Sequence, residues 1–285
     1  MDVNLETKNS MNTKVIDNYS TLKSYLFLVP LFLLSAIVVF LYSQNSLSVA
    51  NYIAVQKDWF YSINSHYSQF PIIIYNLTQI GDALIFLSLL SVLLLSVPKL
   101  WEALLSASIV SAIFSNVFKN VFAVPRPAAS FDTKSFTIIG QTLTGHNSLP
   151  SGHSITVFTI LTVLLFSFMP QKISSKLLWS FFIICTGLII VFTRVGLGAH
   201  FPLDVITGSC LGVISGLAGI FITRKCKVWS WIANKKFYPV FMVLFLVCGI
   251  IIVNKIMHEN LIVFYFALIS LIVSLYQITY AYIKK

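Results

Sequence analysis

Long apolar runs with charges confined to their ends dominate the chain. Eight of them reach or approach the roughly twenty residues needed to cross about 30 Å of hydrocarbon. They cover about 24–43, 78–97, 102–119, 154–170, 177–193, 203–222, 237–254 and 261–282. No Gly/Ser- or Pro-rich linker divides them and no strict short repeat runs through them. The pattern predicts an all-α, polytopic membrane helix bundle of about eight spans. The first run follows a 23-residue polar leader and is longer than a secretory signal core, so an uncleaved anchor is expected. The basic stretch Arg224-Lys225-Cys226-Lys227 sets the last two runs apart as an appended hairpin. The expected organisation is a cytoplasmic polar tail over 1–23, a six-span core over 24–222 and a C-terminal transmembrane hairpin over 237–282.

Composition sharpens the class. Of 285 residues 57% are hydrophobic and only 10% charged, and the mean hydropathy is +0.87. A soluble domain that apolar would precipitate, so the chain is an integral membrane protein.

The net charge of +10 is mostly a topology signal. With the N-terminus inside and the spans alternating, inner segments collect 13 of the 19 Lys and Arg residues. They include Lys8, Lys14, Lys23, Lys99, the 224–227 stretch, Lys284 and Lys285. An even span count leaves both termini in the cytoplasm, and the inner cations tether the protein to anionic lipid and not to nucleic acid. The cysteines agree: Cys185, Cys210 and Cys248 fall in apolar runs and Cys226 in an inner loop, so no disulfide framework or CxxC metal site is implied.

Six basic residues remain outside: Lys57, Lys119, Arg126, Lys134, Arg194 and Lys255. Lys119, Arg126 and Arg194 stand at or near membrane boundaries, where an unpaired charge is costly. Taken singly they are snorkelling residues; together they need an anion. The outer stretch "KNVFAVPRPAAS" sets Lys119 seven residues before Arg126-Pro127, Pro150-Ser151-Gly152-His153 heads the fourth run, and "TRVGLGAHFPLD" sets Arg194 before His200 and Asp204.

Phosphoryl transfer needs fixed donors for three equatorial oxygens. Arg supplies a planar fork and Lys a point charge. The backbone N–H groups of Ser151, Gly152 and His153 would open a helix whose N-terminus holds an anion. Pro202 marks a first helical turn, so His200 and Asp204, at i and i+4, share a face. Asp204 can then hold one tautomer of His200 and stabilise its cation. Two histidines suit two jobs, one attacking phosphorus and one protonating the leaving oxygen. No metal or other cofactor is required. Outside this setting His153 is a plain helix cap and His200–Asp204 a structural pair.

Lys119-x6-Arg126-Pro127, Pro150-Ser151-Gly152-His153 and Thr193-Arg194-x5-His200-x3-Asp204 together resemble the three-part signature of the type 2 phosphatidic acid phosphatase (PAP2) superfamily, across roughly residues 78–222. The resemblance implies a six-helix core with the site at the outer membrane face. It implies His200 as nucleophile oriented by Asp204, and His153 as general acid. Lys119, Arg126, Ser151, Gly152 and Arg194 would hold the phosphate. Thr193 stands where many members carry Ser, and it keeps the hydroxyl. The last two spans and the long polar N-terminus exceed the family's core.

Other residues take plainer roles. His146 is read as a solvated loop residue ahead of a third catalytic group, His66 and His258 as surface, Asp82 as a helix-end partner ahead of a substrate contact, and Asp132 with Lys134 as a solvated loop pair ahead of a headgroup contact. Trp59, Phe60, Tyr61, Tyr67 and Phe70 form an interfacial aromatic belt on an amphipathic helix along the outer surface.

A metal-independent lipid phosphate phosphatase of a bacterial inner membrane is expected, with its site facing the periplasm. Undecaprenyl diphosphate and lipid A phosphate lead the substrates, ahead of phosphatidylglycerol phosphate and phosphatidic acid. A lipid-to-lipid phosphotransferase and a non-catalytic lipid-phosphate transporter or binding protein are the alternatives. No nucleic acid and no obligate protein partner is implied.

Overall fold

The computed structural model describes residues 3–284, with side chains from Met11 onward. The Lys8 side chain and Lys285, both expected on the inner side, lie outside these. Among the described residues there are helices and no strands.

The chain begins with α1 (Val3–Thr21) and α2 (Leu28–Ser43), followed by the short α3 (Val49–Val55) and α4 (Lys57–Tyr67). Next come α5 (Pro71–Gln79), α6 (Ala83–Leu90), α7 (Pro98–Phe122) and the one-turn α8 (Pro127–Ser130). The remaining elements are α9 (Gly152–Ser167), α10 (Ile173–Gly196), α11 (Pro202–Lys225), α12 (Tyr238–Glu259) and α13 (Ile262–Ile283). Six helices are long and apolar enough to cross a membrane, seven if the bent pair around residue 81 counts as one span.

Two expected spans differ from simple crossings. The fourth is α9, whose 16 residues reach only roughly 24 Å at 1.5 Å per residue. It is sheathed by its neighbours and buries residues on every side, Ser154, Val157, Phe158 and Ile160 among them. The second run, expected as one helix over 78–97, is instead α5 and α6 joined at a 74° bend. Its cause is local. A Cβ on Gly81 would lie 2.8 Å from the Cβ and Cδ2 of His153, so this chain can pass His153 only as glycine. Asp82 restarts the helix by accepting from Leu84 N–H at 2.9 Å.

The centre of the bundle is α9 against α11. Gly208, Gly212 and Gly216 recur every fourth residue and so share one face of α11. A Cβ at each would fall 2.5–2.8 Å from a backbone oxygen of α9: Ser151, Ile155 and Thr159 in turn. The two backbones therefore touch, as small residues permit between membrane helices where apolar burial gives no drive.

The expected polar tail is the docked helix α1. Asn18 Nδ2 donates to the carbonyls of Ser167 and Met169 at 3.0 and 3.1 Å. Tyr19 and Ser167 share a 2.6 Å hydrogen bond in the interior. The C-terminal hairpin is not a loose appendage either. It packs α13 on α6, with Ser274 and Ser91 2.7 Å apart and Ser270 donating to the Leu89 carbonyl. Val263 N–H donates to Asn76 of α5, and Lys255 of α12 lies 3.3 Å from Asp82. The hairpin thus braces both halves of the bent segment.

Candidate active site

The three sequence motifs come together at one end of the bundle. Arg194 lies in the last turn of α10, and its carbonyl accepts from both Ala199 N–H and His200 N–H, at 3.0 and 3.2 Å. Gly198 has φ +74°, a left-handed value that lets the chain reverse within four residues. Pro202 then starts α11, and Asp204 Oδ2 accepts from Phe201 N–H at 2.9 Å. The tight turn therefore sets His200 beside the carboxylate that caps its own helix.

His200 and Asp204 are both buried, with His200 Nδ1 3.5 Å from Asp204 Oδ2. Ser148 completes the arrangement: its hydroxyl donates to Asp204 Oδ2 at 2.6 Å and lies 3.4 Å from His200 Nδ1. Tyr52 of α3 donates to the other oxygen, Oδ1, at 2.7 Å. Asp204 so accepts three hydrogen bonds, and the Nδ1 side of the imidazole faces this network. Nε2 is left for other chemistry. Burial, reinforced by the positive charges of Arg126, Arg194 and Lys119, holds His200 well below the ordinary value of 6.5, so the ring is neutral at neutral pH. Burial first, and the Asp204 charge second, raise Tyr52 well above 10, which keeps it a donor.

Facing this pair is the N-terminus of α9. Ser151 caps it with an extended backbone, and its hydroxyl accepts from Ser154 N–H. Ser151 N–H donates to the Asp204 carbonyl at 3.0 Å, which locks the second motif to the third. A Cβ on Gly152 would lie 3.1 Å from Lys119 Nζ, so the lysine hangs over the opening of this helix. His153 follows in the first turn, against Gly81, within electrostatic reach of His200 and the three cations.

Neighbours hold the guanidinium groups. Arg126 Nε donates to Asn147 Oδ1 at 2.8 Å, and Nη1 to the Ala199 carbonyl at 3.3 Å. Arg194 Nη1 donates to Thr78 Oγ1 at 3.1 Å, while its buried Nε has no partner. Among the described residues no carboxylate lies within 4.0 Å of Lys119, Arg126 or Arg194. Three cations without a carboxylate partner around a helix N-terminus are an arrangement that can hold an anion. One carboxylate amid three cations is a poor donor set for a divalent metal.

All eight residues expected from the motifs gather at this end of the bundle. Ser148, Tyr52, Asn147, Thr78 and Gly81 join them, and the sequence alone does not point to any of the five. Ser148 and Asn147 precede the Pro-Ser-Gly-His turn with no periodicity to mark them; Tyr52 comes from a short helix outside the motif-bearing region. His146, His66 and His258 are exposed, away from the His200 network. Asp82 caps α6 and meets Lys255, the structural role expected. The aromatic belt needs correction for Phe60, which is fully buried against Phe131, Phe136 and Phe201 and so props the His200 turn from behind. Trp59 and Phe70 do stay exposed.

Lipid A 1-phosphatase of Rhizobium etli is 27% identical over 145 residues, 48% of this chain and 58% of that protein. A probable sphingosine-1-phosphate phosphatase of Dictyostelium discoideum is 32% identical over 119 residues, 38% of this chain and 27% of that protein. The chain thus spans between about a quarter and three fifths of the length of these relatives. The crystal structure of Aquifex aeolicus LpxE shares the fold, with a TM-score of 0.50 and 24% identity over 59% of this chain and 95% of that one. Residues 100–228, which carry every residue of the three motifs, match the family model of the PAP2 superfamily.

Proposed function

We propose that the protein is a membrane lipid phosphatase that removes a terminal phosphate from an amphiphile through a phosphohistidine. The observation that carries this reading is the buried, neutral His200 backed by Asp204 and Ser148, opposite a helix N-terminus ringed by unpaired cations. Binding phosphate alone would need the cations; it would not need a histidine held in one tautomer by a buried carboxylate.

In the first step His200 Nε2 attacks phosphorus, the P–O bond to the lipid breaks, and His153, protonated once the phosphate dianion offsets the three cations, gives its proton to the departing oxygen. Lys119, Arg126, Arg194 and the N–H groups of Gly152 and His153 balance the charge on the equatorial oxygens, while the Ser151 N–H, expected to join them, is held by the Asp204 carbonyl. In the second step His153, now neutral, takes a proton from water as the water attacks the phosphohistidine. Inorganic phosphate leaves and His200 is regenerated. The Nδ1 proton stays on the Ser148–Asp204 side throughout.

The Rhizobium relatives, named lipid A 1-phosphatase, favour a phosphate carried on a sugar lipid. Undecaprenyl diphosphate and phosphatidylglycerol phosphate share the same headgroup depth. The basic bias of the loops supports an inner membrane with the site on the periplasmic side and both termini in the cytoplasm. The test is phosphate release by the purified protein in detergent from lipid A, undecaprenyl diphosphate and phosphatidylglycerol phosphate, without any lipid acceptor. Release from at least one is expected. No release unless a second lipid is added would instead identify a phosphotransferase, and no turnover under either condition would leave a binding protein.

A further inference from the structure

Beside His153, with neither His200 nor Asp204 in its lining, lies a half-open cavity of about 350 Å³. It sits between α7, α9 and the Gly81–Ala83 bend. Ser108, Ser111 and Ser115 line it from α7, at i, i+3 and i+7, and Thr156 and Thr159 line it from α9, below Gly152. The outward face of the same stretch of α7 is apolar, with Ile109, Ile113 and Val117 about half exposed. Five hydroxyl side chains thus face the cavity among Ala83, Ala112, Ile155, Ile160 and Asp82, while the opposite face of α7 is hydrocarbon.

One of these hydroxyls is left unpaired. Thr159 is 1% exposed and its Oγ1 has no hydrogen-bond partner, although threonine in a helix commonly bonds back to its own carbonyls, as Thr223 does in α11. An unpartnered buried hydroxyl is costly and calls for a ligand or water. In-line displacement adds the direction: with His200 attacking from one side, the bond that breaks points toward the general acid, and so toward this cavity.

We propose that the cavity receives the leaving group, and that its hydroxyl lining favours lipids whose phosphate is carried on a hydroxyl-bearing unit, a sugar or glycerol, over lipids whose phosphate is carried on hydrocarbon. The proposal rests on the phosphatase reading above and names its substrate class. The volume lies at the lower end of the roughly 300–1,000 Å³ of small-molecule sites, room for a single ring or glycerol unit with the acyl chains outside.

Three probes test it with the full-length protein in detergent: a glucosamine-1-phosphate glycolipid, phosphatidylglycerol phosphate and dodecyl phosphate. The readout is the ratio of kcat/KM for each hydroxyl-bearing substrate to that for dodecyl phosphate. The natural sequence should favour at least one hydroxyl-bearing substrate by tenfold or more. Thr159→Val, which keeps shape but not the hydroxyl, should lower that ratio at least fivefold, and Thr159→Ser should restore it. Ser115→Ala on the opposite wall gives a second reading should the first variant fold poorly. The glycolipid and glycerol arms tell the two headgroups apart. A ratio unchanged within twofold in both variants overturns the cavity assignment alone, as does an initial preference for dodecyl phosphate. Absence of release from all three probes overturns the phosphatase reading and the cavity assignment with it.

Discussion

Tyr52 donates a 2.7 Å hydrogen bond to Asp204 across 152 residues of chain, from a short helix that precedes the motif-bearing region to the carboxylate behind His200. A hydrogen bond to a charged group contributes about 1.5–3 kcal/mol, and each 1.36 kcal/mol is a factor of ten in rate. Tyr52→Phe should therefore lower kcat by about ten- to a hundredfold, with KM little changed because the ring stands behind Asp204, away from the phosphate. An equal rise in KM with intact kcat would reassign Tyr52 to substrate binding.

The two histidines should respond differently to replacement. His200→Ala should leave no measurable turnover in a protein that still inserts and folds, since the attacking nitrogen is gone. His153→Gln should lower kcat by about 10²–10⁴, the usual worth of a general acid. It should recover most with substrates whose leaving group needs no proton, such as p-nitrophenyl phosphate. Rapid quenching of His153→Gln with labelled substrate should trap phosphate on His200. Wild-type hydrolysis by His200→Ala would show the nucleophile to be elsewhere.

The depressed His200 sets a pH dependence. The ring is active when neutral, and its folded value lies below 6.5, so acidification inactivates it only once the pH passes below that ordinary value. The acid limb of kcat/KM assigned to His200 should fall below pH 6.5. Stability follows the same sign: between the two values the unfolded chain binds the proton and the folded one does not. The contribution is complete above 6.5 and is lost as the pH falls through the folded value. Melting temperatures in detergent from pH 8 to 5 should fall on the acid side, and less steeply in His200→Ala.

Chelation should be without effect. The proposed phosphate site consists of three cations and backbone N–H groups, and the carboxylate beside it is engaged by Ser148, Tyr52 and Phe201. Dialysis against EDTA should leave phosphate release unchanged. Activity lost on chelation and restored only by a divalent ion would require a metal-assisted route to replace the phosphohistidine mechanism.

Gly212→Leu tests the helix contact beneath the site. A Cβ there would come 2.5 Å from the Ile155 carbonyl and 2.8 Å from Phe158 Cβ, so α9 and α11 must separate. A cost of about 1–3 kcal/mol or more is expected for such overpacking, read as a lower melting temperature. Activity should suffer as well, because the same separation pulls His153 away from His200.

The parts legible from sequence are those with a local signature. Apolar length marks six of the spans, and fixed spacing marks Lys119, Arg126, His153, Arg194, His200 and Asp204. Residues whose role arises only from distant packing leave no such trace. Ser148 looks like any loop serine until Asp204 is brought beside it. The bend at Gly81 is hidden inside an apolar run, because hydropathy counts side chains and does not register that His153 occupies the space a Cβ would take. Aromatic content alone places Phe60 at the interface, whereas its three aromatic neighbours arrive from residues 131, 136 and 201.

The bent segment also bears on modularity. Residues 100–228 hold the recognisable motifs, yet Gly81 and Thr78, which touch His153 and Arg194, lie before that stretch. Their helices are gripped by Lys255, Val263, Ser270 and Ser274, which lie after it. The borders of the family likeness are thus borders of inherited chemistry and not of a separable part. Grafting that stretch alone onto another membrane scaffold would carry over both histidines and leave behind the wall one of them leans on.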